Sequence, residues 1–177
     1  MTYFIELIPL LCALAAVGVI VALVIIDFRH WILPNWLNAA LAALGAGFHL
    51  STGFEFFSPL QLALAALIGG GMLYIVRFFG NRYYKQETLG LGDVKLMAAA
   101  GVWLGPEMII FAITFGAFAG LLHGIAYAAI KALKTKTRMN LRRLMIPAGP
   151  GFCCGIVAVG AWQYWNFLEG MIKILDK

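Results

Sequence analysis

Long uncharged runs of apolar residues recur along the chain, and short polar stretches separate them. A run of about 20 apolar residues is long enough to cross the hydrocarbon core of a bilayer as one α-helix. The pattern therefore predicts an all-α, polytopic membrane protein, a bundle of about six transmembrane helices that forms a single domain over residues 1–177. The six predicted spans are residues 7–26, 34–50, 56–76, 93–104, 108–130 and 144–168.

The composition supports this interpretation. Of the 177 residues, 63% are apolar and 12% are charged, whereas soluble domains have about 45–50% and about 25%. An ordinary soluble domain, a disordered chain and a coiled coil are thereby excluded. The cysteines Cys12, Cys153 and Cys154 form no CxxC pair and have no clustered histidines nearby. The sequence therefore predicts no metal site, no disulfide framework and no cofactor.

The charged residues are divided unequally between the two sides that six spans define. The loops on one side hold 11 of the 13 basic residues, namely Arg29, Arg77, Arg82, Lys85, Lys95, Lys131, Lys134, Lys136, Arg138, Arg142 and Arg143. Cytoplasmic loops of membrane proteins carry an excess of lysine and arginine. The sequence therefore predicts that the basic loops face the cytoplasm and that both termini are extracytoplasmic.

The basic run at residues 131–143 has two interpretations, a nucleic-acid patch or a consequence of membrane topology. No aromatic residues and no recognition motif accompany the run, which favours topology. The same basic residues would attract anionic lipid headgroups. Membrane lipid is therefore an expected partner, and nucleic acid is not.

Three acids lie on the predicted cytoplasmic side. Glu87 lies in a polar loop and is expected to be solvated, whereas Asp27 ends one apolar helix and Asp93 begins another. An ionisable group in or near a span indicates a function by default, although an acid at a helix end can stay hydrated. If these two helices adjoin, two carboxylates share a proton and activate a water, one acting as base and the other as acid. That is aspartic protease chemistry.

Two glycines precede Asp93 in the run Gly90-Leu91-Gly92-Asp93. Glycine allows backbone angles forbidden to other residues and close approach of another chain, so a substrate strand is expected to lie close to this loop. A helix from residue 93 to 104 is about 16 Å long, about half the hydrocarbon core, which predicts a recessed Asp93. Lys95 lies about 200° around the helix from Asp93 and is not expected to point toward it. Two roles remain open for this lysine. It is an interfacial cation, or it anchors either the motif or a group of the substrate.

The histidines and tryptophans are expected to have packing or interfacial roles. His30, His49 and His123 lie on three separate segments without the spacing of metal ligands. The tryptophans, Trp103 among them, are expected at the membrane interface or facing lipid.

Three blocks of the sequence resemble the type IV prepilin peptidases, the bacterial membrane aspartic proteases of the GxGD class. The first block, DFRHWILPN at residues 27–35, has an aspartate followed by Pro-Asn. The second, GLGDVKLMAAAGVWLG at residues 90–105, contains the GxGD motif. The third, IPAGP at residues 146–150, lies near the start of the last predicted span. The ordered set extends over almost the whole chain.

The resemblance implies an endopeptidase that removes the short basic leader of prepilins or pseudopilins, typically after a glycine, at the cytoplasmic face of the bacterial inner membrane. It implies that Asp27 and Asp93 are the catalytic pair. The other motif residues, which are also candidates for substrate binding, are Gly90, Gly92, Lys95, Pro34, Asn35, Pro147, Gly149 and Pro150. Pro34 with Asn35, and Gly149 with Pro150, also suit the starts of helices.

The sequence departs from the family pattern in three places. Full-length relatives carry an additional N-terminal cytoplasmic domain with two CxxC pairs, which is associated with methylating the new pilin N-terminus. This chain begins with the first span, so it resembles the compact, peptidase-only form of Flp/Tad pilus systems, and methyltransferase activity is not expected. Ala148 replaces a common phenylalanine, and Ile26 stands where some relatives have cysteine. Both changes are expected to affect the substrate groove rather than the chemistry.

Two other functions remain open on the sequence. A small proton-coupled transporter would use Asp27 and Asp93 as a proton relay, but it predicts acids distributed through the membrane depth. A non-catalytic membrane protein of pilus assembly would tolerate the loss of either aspartate.

Overall fold

The computed structural model describes residues 2–135, 147–167 and 169–170, and all regular structure in these ranges is helical. The helices are α1 (Thr2–His30), α2 (Asn35–Ser51), α3 (Pro59–Tyr84), α4 (Leu91–Thr135) and α5 (Gly149–Gln163). Because α4 is broken at Gly105, the described part of the chain contains six helical segments. The all-α prediction is confirmed.

Three helices are long and apolar enough to cross a membrane, at Leu7–His30, Pro59–Tyr84 and Leu91–Lys134. Most residues of these spans lie on the protein surface rather than inside it, as expected where lipid is the solvent. With 17 and 15 residues, α2 and α5 are shorter than the roughly 20 residues of a full span. The chain is a polytopic membrane protein, and the number of six crossings stays a prediction.

Several helix boundaries differ from the sequence-based ones. Helix α1 continues through His30, so Asp27 lies in its last turn rather than after its end. Helix α3 begins with a capping box between Ser58 and Gln61 and continues to Tyr84, through residues predicted as a polar loop. Charge ends a membrane span but does not by itself end a helix, which explains this difference. Residues 136–146, which hold four of the basic residues and the first residue of the third block, lie outside the described ranges.

The break in α4 is caused by Gly105 and Pro106. Gly105 has φ 73° and ψ 176°, a conformation that glycine adopts readily, and proline has no backbone N–H to donate to the carbonyl four residues earlier. The helix therefore divides into a first arm, residues 91–104, and a second arm, residues 106–135. The predicted boundary at Pro106 is confirmed as a break between two helical arms.

One side chain from outside α4 replaces a hydrogen bond lost at this break. The hydroxyl of Tyr164 donates to the carbonyl of Trp103. The imidazole of His49 is fully buried and faces the carbonyls of Val102 and Trp103 outside full hydrogen-bond geometry. Trp103 itself is 8% exposed and donates its Nε1–H to the Leu41 carbonyl over 2.8 Å. The expectation that Trp103 faces lipid or the interface is therefore wrong.

Helix α4 is the centre of the bundle, since it packs against α2, α3 and α5. Glycines permit these contacts: a Cβ placed at Gly69 of α3 would collide with the backbone carbonyl of Met97, and one at Gly101 with that of Ala65. A Cβ at Gly151 of α5 would lie 2.8 Å from the carbonyl oxygen of Gly116. Small residues that allow backbones to approach are the usual basis of helix packing in membranes.

The bundle has two chemically different ends. The aromatic end contains Phe48, Phe56, Trp103, Tyr164 and Phe167, whose rings are in mutual contact. The aspartate end contains the last turn of α1 and the first turns of α2, α4 and α5. The polar contacts that join these turns are described below.

We predict that Gly69→Ala lowers the stability of the protein, because the new methyl group meets a backbone carbonyl that cannot move aside. Overpacking of this kind costs about 1–3 kcal/mol. Gly71→Ala is the matched control in the same helix, since a Cβ there meets no atom within 4 Å. Thermal unfolding in detergent measures both variants. Equal midpoints for the two would contradict the close packing of α3 on α4.

Candidate active site

Asp27 is held in the last turn of α1, where it is 5% exposed. The backbone amide of Gly149, the first residue of α5, faces its carboxylate. A Cβ at Gly149 would lie 2.5 Å from Oδ2 and 3.1 Å from Cγ of Asp27. The contact therefore depends on the absence of a side chain at position 149. The third block of the sequence thus reaches the first aspartate directly.

Asp93 is the third residue of α4 and is 7% exposed. The backbone amide of Gly90 faces its carboxylate, and a Cβ at Gly90 would lie 3.0 Å from Oδ2. Gly90 and Gly92 do not have positive φ angles; Gly53 and Gly105 are the glycines that do in the described ranges. The expectation of unusual backbone angles at the motif is wrong, and these glycines provide space instead.

The two aspartates are brought together although 66 positions separate them in the sequence. Their carboxyl groups interact electrostatically. The buried thiol of Cys153, one turn after Gly149 in α5, interacts with both. Within the described residues, Oδ2 of Asp27 and Oδ1 of Asp93 are buried and have no hydrogen-bond partner. Each carboxylate thus keeps one oxygen for a ligand.

Leu33 lies between the GxGD segment and the start of α5. Its Cβ would lie 2.8 Å from a Cβ placed at Gly92, and its Cδ1 3.3 Å from one placed at Gly149. The chain reaches this position because Trp31, with φ 58°, turns it after α1. Pro34, with φ −62° and ψ 133°, then directs it into α2. The predicted helix start at Pro34 and Asn35 is confirmed.

Two hydrogen bonds connect the start of α2 with the GxGD segment. Lys95 donates its Nζ to Oδ1 of Asn35 over 2.8 Å, so this lysine anchors the motif to α2. Asn38 donates its Nδ2 to the carbonyl of Gly92 over 3.3 Å. Asn38 is buried and was missed by sequence reasoning. The sequence feature that could have identified it is an amide side chain about one turn into an otherwise apolar helix.

Helix α3 holds the loop before the motif from the other side. Arg77 donates to the carbonyl of Leu89 and forms a 2.8 Å ion pair with Glu87. Oδ1 of Asn81 accepts from the amide of Thr88 over 2.8 Å. Glu87 is solvated as expected, with 81% of its side chain exposed, and it also pairs with Arg77. The loop is fixed to α3 before the chain enters α4.

The remaining motif residues shape the start of α5. Pro147 is half-buried and precedes the helix, and Pro150 is buried in its first turn. Neither approaches the carboxylates through any contact that the structure records. All the predicted site residues therefore lie at the aspartate end, with Asp27, Asp93, Gly90 and Gly149 at its centre. In the described part of the chain, no three histidine, cysteine, aspartate or glutamate side chains are grouped as metal ligands.

Comparisons with known proteins identify one family. The sequence pattern of the type IV leader peptidase family matches residues 13–125, a range that contains both aspartates. Three relatives are each named prepilin leader peptidase/N-methyltransferase. The Legionella pneumophila protein is 30% identical over 156 residues, 86% of this chain and 50% of the relative. The Dickeya chrysanthemi protein is 36% identical over 118 residues, 64% of this chain and 41% of the relative.

The third relative, from Aeromonas hydrophila, is 33% identical over 165 residues, 89% of this chain and 54% of the relative. The chain thus spans about half the length of the curated relatives it matches. No solved structure matches it significantly. Because the family pattern covers well over half of the 177 residues, the chain belongs to the type IV leader peptidase family.

Proposed function

We propose that this chain is a prepilin leader peptidase, an aspartic endopeptidase that hydrolyses the bond between the leader and the apolar segment of type IV prepilin-like proteins. The observation that carries the proposal is the buried pair of Asp27 and Asp93, which α1 and α4 bring together at one end of the bundle. Family membership supports the same reaction.

The chemistry requires one ionised and one protonated carboxyl group. Two carboxylates at close range do not both stay ionised, because like charges repel strongly where water is excluded. The ionised group takes a proton from water, and the resulting hydroxide attacks the carbonyl carbon of the scissile bond. The protonated group gives its proton to the carbonyl oxygen, which forms a neutral tetrahedral intermediate.

Collapse of the intermediate breaks the C–N bond. The carboxyl group that took the proton from water gives it to the leaving nitrogen, while the other takes a proton back from a hydroxyl of the intermediate. One water is consumed, and a carboxylic acid and an amine are released. The unpartnered oxygens Oδ2 of Asp27 and Oδ1 of Asp93 suit the binding of that water. The Gly149 and Gly90 amides orient the carboxylates from behind.

We place the reaction at the cytoplasmic face of a bacterial inner membrane. Arg29, Arg77, Arg82, Lys85 and Lys95 all belong to segments at the aspartate end, and basic residues accumulate on the cytoplasmic side. A basic leader in the cytoplasm and an apolar segment in the bilayer would meet at this end. In this proposal the chain crosses the membrane six times, with the two arms of α4 as separate crossings.

The distribution of buried acids argues against a proton relay through the membrane. Asp27 and Asp93 are the buried acids of the described residues, and both lie at one end. A purely structural role does not account for them either. Buried carboxylates with unpartnered oxygens cost stability, and a scaffold gains nothing from that cost.

We predict that Asp27→Asn and Asp93→Asn each abolish cleavage while the protein stays folded. Loss of an acid–base group lowers the rate by about 10²–10⁴-fold, and a neutral amide removes the repulsion between the pair, so the unfolding midpoint is expected to be unchanged or higher. The mass of the pilin N-terminus after co-expression with a panel of prepilins reports cleavage and any methylation. Glu107→Gln, an exposed acid at the aromatic end, is the matched control.

Two results would contradict this assignment. Substantial cleavage by a purified Asp93→Asn protein would exclude an acid–base role for that residue. An uncut panel of prepilins with well-folded wild-type protein would instead favour the transporter or the scaffold.

We further predict that Gly149→Ala slows cleavage with little loss of stability. The added methyl group would lie 2.5 Å from Oδ2 of Asp27 and push that carboxylate away from its partner. A displacement near 1 Å lowers a rate by about 10²-fold, so kcat is expected to fall more than KM changes. Gly71→Ala serves as the control with open space. Wild-type kcat in Gly149→Ala would exclude this contact as a determinant of the geometry.

A further inference from the structure

An apolar furrow runs along the seam between α1 and α5, where these two helices pack only lightly against each other. Its outer part has a volume of about 380 Å³ and its inner cavity about 170 Å³, and the two share Ile20 and Val157. The side chains along its mouth are Val17, Val21 and Ile25 of α1 and Cys154, Val157 and Ala161 of α5. We call this feature the α1–α5 furrow.

One end of the furrow is at the aspartate pair. Cys153 lines its outer part, and the same thiol interacts electrostatically with Asp27 and Asp93. Val24, which also lines the outer part, lies about one turn before Asp27 on α1. The other end reaches Phe48 and Tyr164 at the aromatic end. The furrow is therefore a continuous apolar path from the candidate active site into the bilayer.

Packing among the described residues leaves this path open. Val17, Val21 and Ile25 form one stripe of α1, spaced four residues apart, and about half of each side chain is exposed. On the facing helix, a Cβ at Gly160 would meet Leu104 Cδ2 at 3.6 Å, an ordinary contact distance. The packing within the bundle thus does not require glycine there, although glycine costs about 1 kcal/mol relative to alanine inside a helix.

We propose that the α1–α5 furrow binds the apolar helix that follows the cleavage junction of the substrate. This inference rests on the proposed peptidase function and deepens it. From residue 13 to residue 25 of α1 the furrow is about 18 Å long, which matches about 12 residues of a helix. A substrate cut at the aspartate pair has its leader on the cytoplasmic side, and its apolar helix must leave in this direction.

The shape of the walls favours a helix over a single acyl chain. Gly160 and Ala161 on α5 line the inner cavity together with Ala13 and Ala16 on α1, and Ala158 lines the outer part. Small residues let the backbone of a second helix come close, and such contacts are what hold helices together in a membrane. An acyl chain gains nothing particular from this arrangement, because it finds equal contacts on any apolar surface.

The first test is a substitution that fills the furrow and leaves both aspartates in place. Val157→Trp is expected to raise KM at least tenfold for a tagged prepilin that wild-type protein cleaves, with kcat changed less. Leu67→Trp is the control, since Leu67 is an exposed leucine on α3, away from the furrow. It should behave as wild type. Thermal unfolding in detergent checks that both variants fold.

Photocrosslinking provides a second measurement that does not depend on the tryptophan variant. Benzoylphenylalanine at position 157 in the Asp93→Asn protein should capture the uncut prepilin through its apolar segment, and at position 67 it should not. Wild-type kinetics in Val157→Trp, or capture of lipid or of a second copy of this chain alone, would overturn the furrow proposal while leaving the peptidase function standing. Cleavage that persists without both aspartates would overturn the peptidase function, and the furrow proposal with it.

Discussion

Two carboxyl groups, excluded from water and placed beside each other in an apolar bundle, are the constraint that organises the aspartate end. Such a pair is costly, because each charge loses its hydration and repels the other. Backbone amides provide the compensation without adding any competing side chain. Gly90 supplies one for Asp93 and Gly149 one for Asp27. A Cβ at either position would crowd the carboxylate that it faces, so the two glycines provide space for the pair.

The surrounding contacts fix the separation of the pair from several directions. Asn38 and Lys95 attach the GxGD segment to α2, and Arg77 attaches the preceding loop to α3. Leu33 occupies the gap between Gly92 and Gly149. The contacts of Asn38, Lys95 and Leu33 join segments at least 54 positions apart in sequence. The geometry of the pair is consequently a property of the whole bundle rather than of the motif alone.

The sequence predicted what depends on local chemistry. A charge next to an apolar run is a strong signal, so Asp27 and Asp93 were identified, and proline reliably marks the break at Pro106. The role of Asn38 was not predicted, because an amide in an apolar helix has no identifiable partner until the fold supplies one.

The errors have the same origin. Gly90 was expected to relax the backbone, and Trp103 was expected to face lipid. Both expectations treated the residue in isolation, whereas the folded neighbours determine its role: Asp93 crowds the first, and Leu41 accepts a hydrogen bond from the second.

Because α4 is broken at Gly105, a small rotation of its first arm at the break moves Asp93 at the other end of that arm. Twelve residues separate Gly105 from Asp93, a distance of about 18 Å along the helix. A rotation of about 3° at the break therefore displaces the aspartate by about 1 Å, enough to change a reaction rate by about two orders of magnitude. Tyr164, which donates to the Trp103 carbonyl at the opposite end of the bundle, helps to fix the angle of that arm. Contacts at the aromatic end therefore contribute to the positions of the carboxyl groups at the other end of the bundle.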